Sequence, residues 1–178
     1  MKTYIFVDLD ETLIHSFDYY ETPSKGAVEV VVEDQTFKTS LRPGAHEFLA
    51  KLREIGEVRM LTVATYDYAV KMNETFALGF TDIWSRELIQ GTHSFDSKPV
   101  VADRVYLFDN LHRRENRLKI EFLRDVTTNK VPNYIQVKEY RGGKHFPFSK
   151  EEIDHLTKTL YGPESIVKEN SERALDNS

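Results

Sequence analysis

Residues 3–10, TYIFVDLD, constrain the fold more than any other stretch of the chain. An apolar, β-rich run long enough for one buried strand leads without a turn signal into two aspartates, Asp8 and Asp10. Residues 104–110, RVYLFDN, repeat the pattern and end on Asp109 and Asn110. Runs that are apolar on both faces belong in a parallel sheet covered by helices on either side. In such sheets ligands sit in the crevice beyond the carboxyl ends of the strands. The two strand ends therefore predict a crevice in which Asp8 and Asp109 meet.

The rest of the chain supplies the helices that this sheet needs. Residues 27–41 read as two β-rich runs around Glu33–Gln35, a hairpin. Pro43 of the RPG stretch can open a helix in which Ala45, Phe48, Leu49, Leu52 and Ile55 share one side, with Gly56 as its C-cap. EVRMLTVAT, residues 57–65, is a second core strand. A helix from Asp67 to about Leu78 places Ala69, Met72 and Phe76 together, and residues 80–85 form a short extended piece. Residues 113–126 read as a helix with Leu118, Phe122 and Leu123 inward. There the basic run Arg113, Arg114, Arg117, Lys119 is a solvated face. A last strand over 134–140 precedes a helix over 149–162, opened by a capping-box pair, Ser149 and Glu152, and ended by Gly162 and Pro163. Alternating strands and helices predict an α/β fold with a mostly parallel sheet. The expected organisation is one domain over 1–162, with the hairpin inserted at about 17–41, and a flexible polar tail over 163–178.

Side chains alternate along an extended segment, so Asp8 and Asp10 are expected to face the same way. With Asp109 they place three carboxylates in one crevice. Two carboxylates about 4 Å apart repel by roughly 4 kcal/mol at an effective dielectric near 20. Either a proton is retained or a cation is bound. A set of oxygen ligands suits a hard ion such as Mg²⁺. Each aspartate alone reads more simply as a turn or helix cap; the three together at two strand ends do not.

VDLDETLIHS, residues 7–16, resembles the first motif of haloacid-dehalogenase (HAD) superfamily phosphatases. More narrowly it resembles the FCP/SCP-like branch, which acts on the C-terminal domain of RNA polymerase II. LRPGAHEFLAKL (41–52) is similar to the branch's Arg-Pro-Gly helix start, EVRMLTVATYDYA (57–69) to its second motif, and VYLFDN (105–110) to its fourth. The likeness covers most of residues 3–161. It implies a three-layer, Rossmann-like α/β fold in which Asp8 is the nucleophile and Asp10 the general acid and base, its main-chain carbonyl also meeting the metal. It further implies that Thr62 binds a phosphoryl oxygen, with Thr65 as a rival. Lys98 would offset charge, with Arg86 and Lys130 as substitutes. Asp8, Asp10 and Asp109 would hold Mg²⁺, Asn110 would support that shell, and Thr12 would brace the loop. Region 111–133 departs from the branch by an extra charged helix.

The 178-residue chain holds no cysteine, which excludes disulfides, thiolate metal sites and a cysteine nucleophile, and fits a cytoplasmic setting. It has no apolar run near the length of a membrane span, and its short N-terminal apolar stretch leads into acid, unlike a signal peptide. A net charge of −5 gives no global attraction to nucleic acid. The six histidines show no metal-ligand spacing. No GxxxxGK[ST] loop is present, so a kinase activity is not expected. Neither position at which HAD folds receive caps has room for a sizeable one, so the expected site is capless and open. That suits a phosphorylated macromolecule. The resemblance favours phosphoserine or phosphothreonine in a protein. A nucleic-acid 3′-phosphatase or nucleotidase on the same scaffold is the alternative, and a non-catalytic phosphopeptide-binding protein the second.

Overall fold

A computed structural model describes residues 2–91, 101–111, 116–127 and 131–161. Lys98, Lys130, Arg113, Arg114 and the expected tail over 163–178 lie outside these residues. The strands are β1 (Thr3–Val7), β2 (Ile14–Phe17), β3 (Val28–Val32), β4 (Gln35–Leu41), β5 (Glu57–Leu61), β6 (Ile83–Trp84), β7 (Arg104–Asp109) and β8 (Asn133–Gln136). The helices are α1 (Ala45–Ile55), α2 (Tyr66–Thr75), α3 (Arg86–Ile89), α4 (Arg117–Val126) and α5 (Lys150–Thr157), the last followed by a 3₁₀ turn (Lys158–Tyr161).

Among the described residues five strands form one sheet, in the order β6–β5–β1–β7–β8, with every neighbouring pair parallel. Its centre, β1, is apolar on both faces for the reason its sequence suggested. Ile5 and Val7 pack into a cluster with Phe48 and Leu52 of α1, Met72 of α2 and Leu156 of α5. Tyr4 and Phe6 pack on the opposite face, with Trp84, Leu107 and Leu123 of α4. Val7 is level with Met60 of β5 and Phe108 of β7, so all three strands end at one edge.

The expected hairpin is present: Val32 pairs with Gln35, and Glu33 turns the chain with a left-handed φ of 55°. It is not alone. β2 pairs antiparallel with β4, Ile14 against Leu41, and makes a three-stranded sheet in the order β2–β4–β3. α1 starts at Ala45 rather than at Pro43, because Gly44 precedes it with φ 82°. A Cβ on Gly44 would lie 2.1 Å from the Phe148 carbonyl oxygen, so this close approach requires glycine. Ser149 caps α5 as expected, its Oγ accepting from the Glu152 amide at 3.1 Å.

Arg42, in the RPG stretch, ties these parts together. It is buried, and its Nε donates to the Phe146 carbonyl at 2.7 Å. Its Nη1 donates to the carbonyls of Lys138, at 2.8 Å, and Thr12, at 3.1 Å. The guanidinium lies 4.1 Å from the Phe148 ring centre. Burial lowers its pKa to about 10, with no ion pair to it among the described residues. The cost of desolvation is thus offset by carbonyls and a ring face. Arg42→Met is expected to leave those carbonyls unpaired and to cost about 1–3 kcal/mol in a urea denaturation series. An unchanged midpoint would show that Arg42 is not a structural tie.

Candidate active site

The parallel neighbours β1 and β7 bring Asp8 and Asp109 to one edge because Val7 and Phe108 are paired one residue earlier. Both carboxylates are buried, Asp109 completely. Asp8 Oδ1 accepts from Lys119 Nζ at 2.7 Å, and Asp109 Oδ2 accepts from the same nitrogen at 2.6 Å. Asp8 Oδ2 accepts from Thr12 Oγ1 and from Asn110 Nδ2, each at 3.0 Å. Asn110 Nδ2 also lies 2.7 Å from the Asp10 carbonyl oxygen and 2.9 Å from Thr12 Oγ1. Asp109 Oδ1 accepts from the Leu111 amide at 3.2 Å. Thr12 and Asn110 thus hold Asp8 and the loop after it.

Lys119 was not foreseen here. The sequence pattern puts the basic run on a solvated face with Leu118 inward; the structure reverses two adjacent residues. Leu118 is 68% exposed and Lys119 only 2%. Lys119 lies four residues before the fully buried Leu123, one helical turn along the same face of α4. That spacing is a signal in the sequence, but one outweighed there by the ordinary preference for leucine over lysine inside. Burial alone would lower the lysine's pKa, but the two carboxylates outweigh it and raise it. Asp8 feels the reverse balance: burial pushes its carboxyl up, and the Lys119 ammonium pulls it down.

The three carboxylates do not all share hydrogen-bond partners: Asp8 and Asp109 meet at Lys119, and Asp10 is held by Tyr68. β1 ends at Val7, and the Leu9 carbonyl then accepts from the amides of Thr12, Leu13 and Ile14, so the chain is turning at Asp10 and strict alternation no longer applies. Glu11 sits in the left-handed region with φ 60°. The Asp10 main-chain oxygen faces Asn110, while its carboxylate turns to Tyr68, whose hydroxyl donates to Oδ1 at 2.7 Å. Burial pushes the Asp10 carboxyl up to about 6, with that hydrogen bond acting against it. Asp10 and Tyr68 line an open cleft of ≈ 430 Å³ with Ser16, Phe37, Thr65 and Arg86.

Thr62 lies one residue past β5, buried at the same sheet edge, and its Oγ1 accepts from the Ala64 amide at 3.1 Å. Its rival Thr65 is exposed and precedes α2 without a side-chain cap bond. Arg86 is also exposed, its Nε donating to the Val63 carbonyl at 2.7 Å.

The oxygen atoms at the centre fit a hard cation. One Asn110 Nδ2, with two hydrogens, faces three oxygens: Asp8 Oδ2, the Asp10 carbonyl and Thr12 Oγ1. Two carboxylates against one ammonium also leave the site net negative. Both facts suit Mg²⁺, which takes carboxylate and carbonyl oxygens and keeps several waters. No cluster of three His, Cys, Asp or Glu side chains that could hold a metal ion occurs among the described residues.

The model of the NLI interacting factor-like phosphatases aligns with residues 3–161. The chain belongs to that family. Family membership bears out the FCP/SCP-like resemblance of the motifs. A solved structure described as "The Structure of Fcp1, an essential RNA polymerase II CTD phosphatase" shares the fold, with a TM-score of 0.51 and 21% identity. The match covers 90% of this chain and 49% of that one. An uncharacterized Schizosaccharomyces pombe protein is 33% identical over 70 residues, which are 38% of this chain and 22% of the yeast protein. The chain thus spans about half of the first relative and less of the second.

Proposed function

We propose that the chain is a Mg²⁺-dependent phosphomonoester hydrolase that forms an aspartyl-phosphate on Asp8 and acts on phosphoserine or phosphothreonine in a protein. The observation that carries this reading is the state of Asp8. It stands at the carboxyl end of the central strand, anchored on Oδ2 by Thr12 and Asn110 and on Oδ1 by Lys119. A carboxylate fixed in this way is a ready nucleophile. One of its oxygens attacks phosphorus as the bond to the leaving oxygen breaks, and Asp10 supplies that oxygen with a proton. Asp10 then takes a proton from the water that attacks the aspartyl-phosphate, which regenerates Asp8 and releases phosphate. Lys119 lowers the charge that phosphate meets, the role expected of Lys98 on sequence grounds. Asp8, the Asp10 carbonyl and Asp109 would hold Mg²⁺, which supplies further positive charge where a dianion must approach carboxylates.

The open cleft beside Asp10 supports a macromolecular substrate, and the FCP/SCP-like motifs favour a phosphoprotein. The test compares phosphopeptides with 3′- and 5′-phosphorylated oligonucleotides and p-nitrophenyl phosphate, with Mg²⁺ and with excess EDTA. Hydrolysis of p-nitrophenyl phosphate and phosphopeptides with Mg²⁺, reduced to background by EDTA, is the expected result. Full activity in EDTA overturns the metal requirement. Preference for oligonucleotide ends overturns the substrate class. Phosphopeptide binding without turnover of any substrate points to a scaffold.

A further inference from the structure

The Asp10 carboxylate is held by one oxygen and open at the other. Tyr68 donates to Oδ1 at 2.7 Å, and no hydrogen bond reaches Oδ2 from the described residues. The Tyr68 hydroxyl has one hydrogen, and it is committed to Asp10. Ser16 Oγ, 2.6 Å away, must therefore be the donor to Tyr68. Ser16 in turn has spent its hydrogen and must accept from Thr39 Oγ1 at 2.8 Å. The result is a directed file of hydroxyls, Thr39 to Ser16 to Tyr68 to Asp10, running from β4 through β2 and α2. Tyr68 is 9% exposed, and its ring is fixed edge-on against Phe37 at 5.1 Å. At the other end of the residue, Asn110 fixes the Asp10 main chain.

We propose that Tyr68 is a positioning residue: it locks Asp10 Oδ1 so that Oδ2 faces the cleft as the atom that exchanges a proton with the leaving oxygen and then with water. This rests on the phosphatase reading and adds to it a role for the three-stranded sheet. The bonds made and broken are those already given. What Tyr68 and its file of hydroxyls supply is the orientation of the oxygen that gives and takes the proton. A general acid contributes about 10²–10⁴-fold, and only when the departing oxygen needs the proton.

The experiment therefore varies the leaving group. Wild type, Tyr68→Phe and Ser16→Ala are assayed in Mg²⁺ on phenyl phosphate and on p-nitrophenyl phosphate, whose departing nitrophenolate is stable without a proton. The readout is kcat/KM, which ends at the first irreversible step, departure of the leaving group. Tyr68→Phe is expected to lower kcat/KM for phenyl phosphate about tenfold or more beyond its loss on p-nitrophenyl phosphate, because acid catalysis is misdirected. Ser16→Ala is expected to show the same selectivity on a smaller scale and keeps the test alive if Tyr68→Phe does not fold. Equal losses on both substrates, or no loss, overturn the positioning role while leaving the phosphatase reading intact. A wild type that hydrolyses neither substrate overturns both.

Discussion

Replacement of Asp8 by Asn is expected to reduce hydrolysis of p-nitrophenyl phosphate by at least about 10³-fold, since it removes the atom that attacks phosphorus. The change is isosteric, so its structural effect can be bounded. Asp8 accepts at both oxygens: from Lys119 on one side, and from Thr12 and Asn110 on the other. An amide has one acceptor and one donor end. Whichever way Asn lies, its NH₂ faces a donor. One misfit hydrogen bond costs about 1–2 kcal/mol. For a chain of this size that lowers Tm by about 2–8 °C. Calorimetry should therefore show a folded protein with a small shift, and the assay an inactive one. Retained hydrolysis in a folded Asp8→Asn protein would mean that a different group attacks phosphorus, and the aspartyl-phosphate scheme would fall.

How far the site could be read beforehand depended on the range of the interaction concerned. Asp8 and Asp109 were legible because each follows an uninterrupted apolar run, and parallel pairing of two such runs brings their ends level. The Ser149 cap was legible because a cap is a contact over three residues. The direction of the Asp10 carboxylate was not. It depends on where β1 stops: past Val7 the Leu9 carbonyl collects three amides, and Asp10 Oδ1 takes its hydrogen bond from Tyr68 rather than from the partners of Asp8. β2 was missed for a related reason. A four-residue strand that immediately follows a motif has no turn signal in front of it, and its partner β4 lies over twenty residues away. Lys119 shows the limit most clearly. A lysine beside a leucine at the start of a charged helix is ordinarily the outward member of the pair. Only carboxylates 10 and 111 positions away in sequence make the opposite placement favourable. The charged helix that set this chain apart from the FCP/SCP pattern is the element that delivers the lysine to the carboxylates.

Lys119→Met is expected to affect stability and activity together, and Mg²⁺ separates the two effects. The substitution keeps the apolar stem and removes the ammonium between Asp8 and Asp109, both buried. Breaking a buried ion pair on one side costs about 3–5 kcal/mol, chiefly because the remaining charges lose their partner. That corresponds to a fall in Tm of about 6–20 °C without metal. A cation bound at the same carboxylates should restore part of this, so the Mg²⁺-induced rise in Tm is expected to be larger in Lys119→Met than in wild type. Activity is expected to fall about 10²–10³-fold even in saturating Mg²⁺, since a fixed positive charge aimed at the phosphoryl group is gone. Lys119→Arg should not rescue it, because a planar fork cannot replace a compact ammonium held at 2.7 and 2.6 Å between two oxygens. Lys98→Met, measured in parallel, decides between the lysine expected from the motifs and the one the structure brings to Asp8. A loss of this size in Lys98→Met, with Lys119→Met near wild type, would return the role to Lys98 and leave Lys119 as a structural ion pair.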